Sequence, residues 1–481
     1  MKNKKKNKKM TIDEKYLINP FIKEVNLKSF INRKYTMNII QGTTGLGKTY
    51  ATYNTFVPYC FEKGLDLVIY SYPLTEIYDS VGAMSVAAKS NGVVHSTDVY
   101  EAMEALSNGF KVFFTSTHQY LLDVNGRKLF DYSENKGVNL GWFVDEPHTW
   151  TISSKENYKD VMGSFSVKYN NKLYSLLERM SIKTPYIFGT TATPHAEQTL
   201  KVPVDGKLEY KIINSRPNLD EMISRIGWMG STTPYELGDY GNDKETVSTF
   251  STALNTHHEK SELYGKRTML ITVERDNGSN GWNLKYVVDE LLKYFYGSVS
   301  PEYKFDNQIA ILTSDFKGYV NFIKQGFGYR CEYHSCEESQ ILSDLSNLKE
   351  NAQILIVIEK GKMGMNVHNL KTYFSFRKTD KERSGDYNNE PITESPLQVV
   401  GRLMRIWTGI PNRDFVNKWG YDLADYVKSL SEAECKKLLE CNSYDIYHPN
   451  NTMWAEAVNV LKTELSPTKE SALTWMNKIR G

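Results

Sequence analysis

A short stretch near the start of the chain, IIQGTTGLGKTYAT, constrains the fold more than any other part of the sequence. Two apolar residues and Gln41 precede three glycines, a lysine and a threonine, and residues that favour a helix follow directly. Glycines let the backbone turn its N–H groups inward, where they close on an anionic group at the start of a helix. The segment GTTGLGKT therefore predicts a strand, a phosphate-binding P-loop and a helix.

The same segment supplies side chains for a bound nucleotide. The Lys48 ammonium group is long enough to reach the β- and γ-phosphates, and the Thr49 hydroxyl is a ligand for Mg²⁺. An ordinary strand–turn–helix connection is the alternative, and the complete pattern in its expected context disfavours it. The residues predicted to hold the cofactors ATP and Mg²⁺ are Gly42, Thr43, Thr44, Gly45, Leu46, Gly47, Lys48 and Thr49.

Two adjacent carboxylates about 100 residues further on add a catalytic element. The segment WFVDEPHTW places Asp145 and Glu146 at the end of an apolar strand. Asp145 is placed to hold Mg²⁺ through water, and Glu146 to polarise the water that attacks the γ-phosphate. A strand that ends in Asp-Glu is common by itself, and the upstream P-loop is what favours the catalytic interpretation.

Short apolar runs alternate with helical patterns in both halves of the chain, which predicts α/β domains built on parallel sheets. Ligands of such sheets bind at the carboxyl ends of the strands. The strands predicted in the first half are 37–41, 66–71, 111–116, 140–146 and 186–191. Those predicted in the second half are 268–273, 308–314, 353–359 and 372–376.

These patterns divide the chain into five parts. We expect a disordered basic tail at 1–15 and two α/β domains at 16–215 and 267–417. Residues 216–266 are polar and weakly periodic, which indicates a linker or insertion with some helix. The C-terminal region, 418–481, is predicted to be a small helical region, and it is a candidate contact for a protein partner.

Composition narrows the classes of partner. Formal net charge is +2, but the first ten residues hold six lysines, so the remainder has 53 basic against 57 acidic residues. A polyanion would therefore have to bind in a local groove, and the tail is either a non-specific nucleic-acid contact or a solubilising extension. The sequence contains no run of about 18 apolar residues, which argues against a membrane span. Five cysteines favour a reducing cytoplasm, and the spacing of Cys331, His334 and Cys336 matches no standard zinc pair.

A third segment, QVVGRLMR, separates this chain from many other P-loop ATPases. Helical spacing would put Gln398, Arg402 and Arg405 on one face, with Gly401 permitting close approach. Two arginines presented together can neutralise charge on a transferring phosphoryl group. A solvated basic helix face is the alternative if the motif is considered alone.

The order of these segments resembles the motif series of superfamily 2 helicases. GTTGLGKT is similar to motif I, DEPH to the DExH-box form of motif II, TAT at 191–193 to motif III, and QVVGRLMR to motif VI. KGKMGMNV resembles motif V, although Asn366 stands where many relatives carry Asp. YSYPLTEI at 70–77 and TSTHQYLL at 115–122 lie where the nucleic-acid-contacting motifs Ia and Ib would fall. The similarity is greatest to the type III restriction subunit and DEAD/DEAH-like translocases.

The resemblance implies a fold and further site residues. It implies two RecA-like parallel-sheet domains in tandem, with nucleotide contacts from Gly364 and Asn366. It assigns the coupling of hydrolysis to domain movement to His148, Thr191 and Thr193.

The resulting prediction is a nucleic-acid-dependent ATPase that moves along or unwinds a strand, with DNA favoured over RNA. The first alternative is an ATP-switched clamp or remodeller that grips nucleic acid or protein without separating strands. A second, a P-loop kinase or other nucleotide transferase, leaves the second sheet and QVVGRLMR unexplained. We predict that Gly42 to Thr49 and the carboxylates act together with arginines from the second domain.

Overall fold

The computed structural model divides the chain into two compact units, Met1–Pro217 and Asn218–Gly481. In the first unit it describes residues 36–41, 52–72, 92–145, 175–184, 186–191 and 209–214. In the second unit it describes residues 230–240, 243–274, 281–297, 309–313, 315–326, 328–347, 352–358, 367, 369–377, 399, 402–403, 423–451, 454–455, 458 and 469–480.

The first unit is an α/β structure built on a seven-stranded sheet in which every pairing is parallel. The strand order is β3-β4-β2-β5-β6-β1-β7. The strands are β1 Thr36–Gln41, β2 Leu67–Tyr72, β3 Val93–Ser96, β4 Lys111–Thr117, β5 Leu140–Asp145, β6 Ile187–Thr191 and β7 Glu209–Asn214. The helices include α1 Val57–Glu62, which a π-helical turn at Thr52–Phe56 precedes, α2 Val99–Ser107, α3 His118–Leu122 and α4 Val124–Lys136.

Alternation along the strands buries apolar side chains on both faces of this sheet. One face carries Ile69, Phe114 and Trp142, while the other carries Tyr70 and Phe143. Covering both faces requires helices on each side, which is why the strands appear as nearly continuous apolar runs.

The second unit is also α/β, with an eight-stranded sheet in the order β12-β11-β10-β13-β9-β14-β15-β8. Its strands are parallel except in the hairpin, where β11 is antiparallel to β10 and β12 to β11. The strands are β8 Gly230–Tyr235, β9 Arg267–Thr272, β10 Ile309–Leu312, β11 Lys317–Gln325, β12 Gly328–Ser335, β13 Ala352–Val357, β14 Leu370–Ser375 and β15 Tyr444–Pro449. The helices are α5 Lys244–Tyr264, α6 Leu284–Gly297, α7 Glu338–Asn347, α8 Leu423–Lys428, α9 Glu432–Cys441 and α10 Lys469–Arg480.

The structure confirms the prediction of two α/β domains and each of the nine strands expected from apolar runs, to within a few residues at the ends. Three short or polar strands of the first 235 residues, β3, β7 and β8, were not predicted. The hairpin of β11 and β12 was not predicted either, because Lys, Asn, Gln and Glu interrupt its apolar pattern. Within the described part of the chain, no helix has the length and apolarity needed to cross a membrane.

In two segments the observed structure differs from the structure that the sequence predicts. Within 216–266, the range predicted to be a linker or insertion, β8 is a strand of the second sheet and α5 packs against that sheet through Phe250 and Leu254. Within 418–481, predicted to be helical, β15 lies between β14 and β8. β15 has the sequence YDIYHP, in which buried Asp445 and His448 interrupt the apolar pattern that would have indicated a strand.

Candidate nucleotide site

Three neighbouring strands of the first sheet end side by side where the predicted site residues begin. In the register of the sheet, Ile40 on β1 is opposite Thr190 on β6, and Thr190 is opposite Asp145 on β5. Adjacent strands lie about 4.8 Å apart, which puts the backbones of Ile40 and Asp145 about 10 Å from each other. In the sequence, the glycine-rich segment begins directly after the last residue of β1, and Asp145 is itself the last residue of β5.

Asp145 is buried and hydrogen-bonded where β5 ends. Its side chain accepts a hydrogen bond from the Thr190 hydroxyl, with 2.9 Å between Thr190 Oγ1 and Asp145 Oδ1. Only 9% of Asp145 is exposed. A carboxylate held by a neighbouring hydroxyl in a mostly buried place has a fixed orientation, which a ligand for Mg²⁺ requires.

A histidine from the next layer contacts the backbone of the same aspartate. His118, the first residue of α3, donates from Nε2 to the carbonyl oxygen of Asp145 over 3.0 Å. It is buried, and it belongs to TSTHQYLL, the segment similar to motif Ib. The predicted nucleic-acid segment and the predicted carboxylate strand are therefore joined by a direct hydrogen bond.

Tyr53, four residues after Thr49, lies near Asp145. Burial, and after it the negative charges of Asp145 and Tyr72, raise the pKa of the Tyr53 phenol well above its ordinary value. The ring packs against Tyr70 at 5.0 Å between centroids, and its hydroxyl has no hydrogen-bond partner among the described residues. Tyr53 is a neutral phenol beside the carboxylate at neutral pH.

Most of the predicted site residues lie outside the described residues. Of the nucleotide-contacting set, Asp145 is described, and Thr191 is described as the last residue of β6. In the second unit Arg402 is described. Those outside are Gly42, Thr43, Thr44, Gly45, Leu46, Gly47, Lys48, Thr49, Glu146, His148, Thr193, Gly364, Asn366, Gln398 and Arg405.

The described part of QVVGRLMR packs into the second unit. Val399 and Leu403 are both in the apolar core, as expected for helical positions four residues apart. The Leu403 carbonyl oxygen accepts a hydrogen bond from buried Lys371 on β14, with 3.1 Å between Nζ and the oxygen. Arg402 is 6% exposed, so its side chain does not belong to a solvated basic helix face.

The sequence did not identify three of these residues as parts of the site. Thr190, His118 and Tyr53 were each inside or next to a quoted motif, but none was given a role. They can be identified only from the structure, because what relates the three side chains to the site is their proximity to Asp145. Thr190 and Asp145 are 45 positions apart in the sequence, and the pairing of β5 with β6 brings them together.

Among the described residues, no group of three or more His, Cys, Asp and Glu side chains could hold a metal ion. In that part of the chain Cys331 and His334 lie on β12, and Cys336 follows it. On a strand, Cys331 and His334 point to opposite faces of the sheet.

Comparison with known proteins gives similarities of fold only. No family model and no curated protein sequence matches the chain. Similar solved structures include Mss116p bound to ssRNA and AMP-PNP, with a TM-score of 0.48, 14% identity and coverage of 94% of this chain and 75% of that one. S. cerevisiae Dbp5 bound to RNA and ADP BeF3 has a TM-score of 0.44, 10% identity and coverage of 92% and 89%.

A restriction enzyme is also similar. The ATP-dependent Type ISP restriction-modification enzyme LlaBIII bound to DNA has a TM-score of 0.46 and 12% identity, and 96% of this chain aligns with 33% of that chain.

Proposed function

We propose that this protein is a nucleic-acid-dependent ATPase of the superfamily 2 type, which acts as a helicase or translocase and prefers DNA to RNA. The observation that carries the proposal is the common edge of β1, β6 and β5, where GTTGLGKT, TAT and DEPH each begin at the end of a strand or directly follow it. Parallel strands bring three separated motifs to one edge, where open α/β sheets bind ligands.

The donor set at this edge suits a magnesium nucleotide. Asp145 offers a carboxylate whose orientation Thr190 fixes, and Thr49 would add a hydroxyl. Oxygen ligands of this kind are those that Mg²⁺ takes together with phosphate oxygens. When bound, Mg²⁺ would neutralise charge on the β- and γ-phosphates.

The chain's own residues supply the remaining functions. Lys48 would hold the β- and γ-phosphates, while Glu146 would accept the proton of the attacking water. Arg402 and Arg405 would stabilise the charge on the transferring phosphoryl group, and Gln398 would join them there.

The contact between His118 and Asp145 supports coupling between nucleic acid and nucleotide. A strand bound along TSTHQYLL would act on the helix that begins with His118, and the hydrogen bond would transmit that change to the carboxylate strand. Linkage then requires each ligand to change the affinity of the protein for the other by the same factor.

The second candidate is an ATP-switched clamp that grips nucleic acid without separating strands. It uses the same site and differs only in whether closure moves or separates the strand. A nucleotide transferase remains the third candidate, and it gives no role to QVVGRLMR or to the second sheet.

The decisive experiment measures ATP hydrolysis with single-stranded DNA, duplex DNA and RNA, beside a strand-separation assay. We expect stimulation by nucleic acid that is greater with DNA and that requires Lys48. Stimulation without strand separation or movement would favour the clamp. A turnover that no nucleic acid changes would contradict the proposal.

A further inference from the structure

The second sheet ends in a strand whose outer edge has no partner strand in the described part of the chain. β12 is the terminal strand of the sheet, and all eight of its residues pair with β11 on the inner side. Its outer edge presents a row of backbone donors and acceptors, which is a template for pairing with another strand.

Two of the other three described sheet edges are less suited to pairing. At the opposite edge of the same sheet, β8 contains Pro234, which has no backbone N–H to donate. In the first unit, the edge strand β3 is only four residues long. β12 is twice that length and has no proline.

The side chains of β12 alternate between two environments. Tyr329, Cys331 and Tyr333 share the face towards α6, where the Tyr329 ring stacks on Tyr296 at 3.5 Å between centroids. Arg330, Glu332 and His334 share the other face, and Arg330 and His334 are exposed there. The charged residues are therefore on one face and the aromatic residues on the other.

The central five residues of β12, YRCEY at 329–333, are self-complementary about Cys331, with a tyrosine two residues away on each side and opposite charges one residue away. If two copies pair antiparallel with a two-fold axis at Cys331, Arg330 of each copy is directly opposite Glu332 of the other. In the same register Tyr329 is opposite Tyr333. Opposite-charge and aromatic pairs directly across two strands stabilise the pairing, and like charges destabilise it.

We propose that two copies of this chain associate through β12, in this register, to form one sheet that continues from copy to copy. The interface repeats the same surface on both partners, as a two-fold dimer requires. It consists of one strand from each copy, so it belongs to the small, weak class of interfaces. The proposal stands apart from the ATPase function, because no residue of β12 belongs to the nucleotide site.

The test is a charge exchange in the full-length protein. Sedimentation equilibrium over about 1 to 100 µM should show a monomer–dimer equilibrium for the wild type, as a small interface predicts. Arg330→Glu should weaken the dimer about tenfold or more, because two attractive pairs become two repulsive ones. Glu332→Arg should have the same effect, and the double variant should restore the wild-type equilibrium.

Lys324→Glu is the matched control, since it makes the same change of charge at an exposed position on β11, away from the outer edge. It should leave the dimer unchanged. A wild type that stays monomeric throughout overturns the proposal. So does a dimer that Arg330→Glu does not weaken, or that the double exchange does not restore.

A bis-maleimide with a short spacer tests the register independently. The two Cys331 side chains should lie about 5 Å apart, whereas the two Cys336 side chains should be about 33 Å apart, five residues from the axis on each side. Cross-linked dimer should therefore disappear in Cys331→Ser and persist in Cys336→Ser. Cross-linking that needs Cys336, or that fails for the wild-type dimer, contradicts the register.

Discussion

Among the described residues, the second unit buries charged side chains at the amino ends of its strands, where the first unit buries none. In the first unit, Asp145 and Thr190 lie at the carboxyl ends of β5 and β6. In the second, Arg267 is the first residue of β9, and Lys371 and Asp445 are the second residues of β14 and β15. Carboxyl ends are where ligands bind to parallel sheets, so the difference separates polar groups that serve chemistry from those that serve architecture.

The buried charges of the second unit join segments that are far apart in the sequence. Lys260 on α5 pairs with Asp445 over 2.6 Å, and Ser231 on β8 donates to the same carboxylate. Arg267 donates from Nη2 to the Glu440 carbonyl oxygen at the end of α9, over 3.0 Å. These contacts attach β8, α5 and the C-terminal residues to the central strands.

Replacing Lys48 by alanine tests the first half of this comparison with the largest expected effect. Lys48→Ala should abolish ATP hydrolysis and leave thermal unfolding nearly unchanged, because a P-loop lysine acts as a point charge for phosphate. Lys63→Ala, at the exposed end of α1, is the control and should keep full turnover. Unchanged hydrolysis in Lys48→Ala would rule out the P-loop assignment.

In the second unit we expect effects on stability instead. Lys260→Met removes the cation that pairs with Asp445, whose side chain is 3% exposed, and leaves a buried carboxylate without it. Unfolding of this unit should become easier by about 3 kcal/mol. Chemical denaturation measures the loss, and turnover of the folded protein should be retained.

Lys293→Met is the corresponding control. Lys293 pairs with Glu290, but its side chain is 64% exposed, and such surface pairs contribute at most about 1 kcal/mol. If both variants lose the same free energy of unfolding, the ion pair of Lys260 with Asp445 does not stabilise the attachment of α5 to β15 as described above.

The pH dependence of the second unit should come partly from His258. Burial lowers its pKa from the ordinary 6.5 to about 4, so the folded state stays neutral where the unfolded chain takes up a proton. The contribution of neutral His258 to the stability of the folded state is therefore complete above pH 6.5 and is lost as the pH falls towards 4. His258→Phe should remove about 2 kcal/mol of the stability loss between about pH 7.5 and 5.

Chemical denaturation at pH 7.5 and pH 5 measures this difference directly. His257 should contribute a separate loss of stability in acid that the His258→Phe variant retains. Burial also lowers the pKa of His257 well below its usual range, so a residual acid loss should persist in the variant. Identical pH slopes for the wild type and His258→Phe would contradict the assignment.

Two threonines at equivalent strand ends give the finest comparison. Thr190→Val removes the hydroxyl that orients Asp145, and turnover should fall about tenfold, as for other groups that orient metal ligands. Thr272→Val, at the end of β9, removes a hydroxyl that bonds to Tyr373 and should leave turnover unchanged. Equal turnover in the two variants would mean that the hydroxyl at the end of β6 matters no more for catalysis than the one at the end of β9.

The same contrast explains what could be predicted from the sequence. Strands such as LVIY and ILIV were predicted because local apolar runs identify buried parallel strands. β8 and β15 could not be, because they are held by Ser231, Lys260 and Asp445, whose pairing connects residues up to 214 positions apart. At the site, motifs identified Asp145 from neighbours in sequence, whereas His118 and Thr190 required the sheet register.

The central claim is that a nucleic-acid-driven ATPase site uses arginines from QVVGRLMR. The direct measurement is steady-state hydrolysis with and without single-stranded DNA, beside nucleotide affinity, for the wild type, Arg402→Lys and Arg405→Lys. Arg179→Lys, at an exposed ion pair with Asp131, is the control. Lysine cannot present the parallel donors of a guanidinium group, so both variants should bind ATP normally and lose most of the stimulated rate, Arg405→Lys above all. If both keep the wild-type stimulated rate, the chain is a single-domain ATPase with an accessory α/β domain, and the account is wrong.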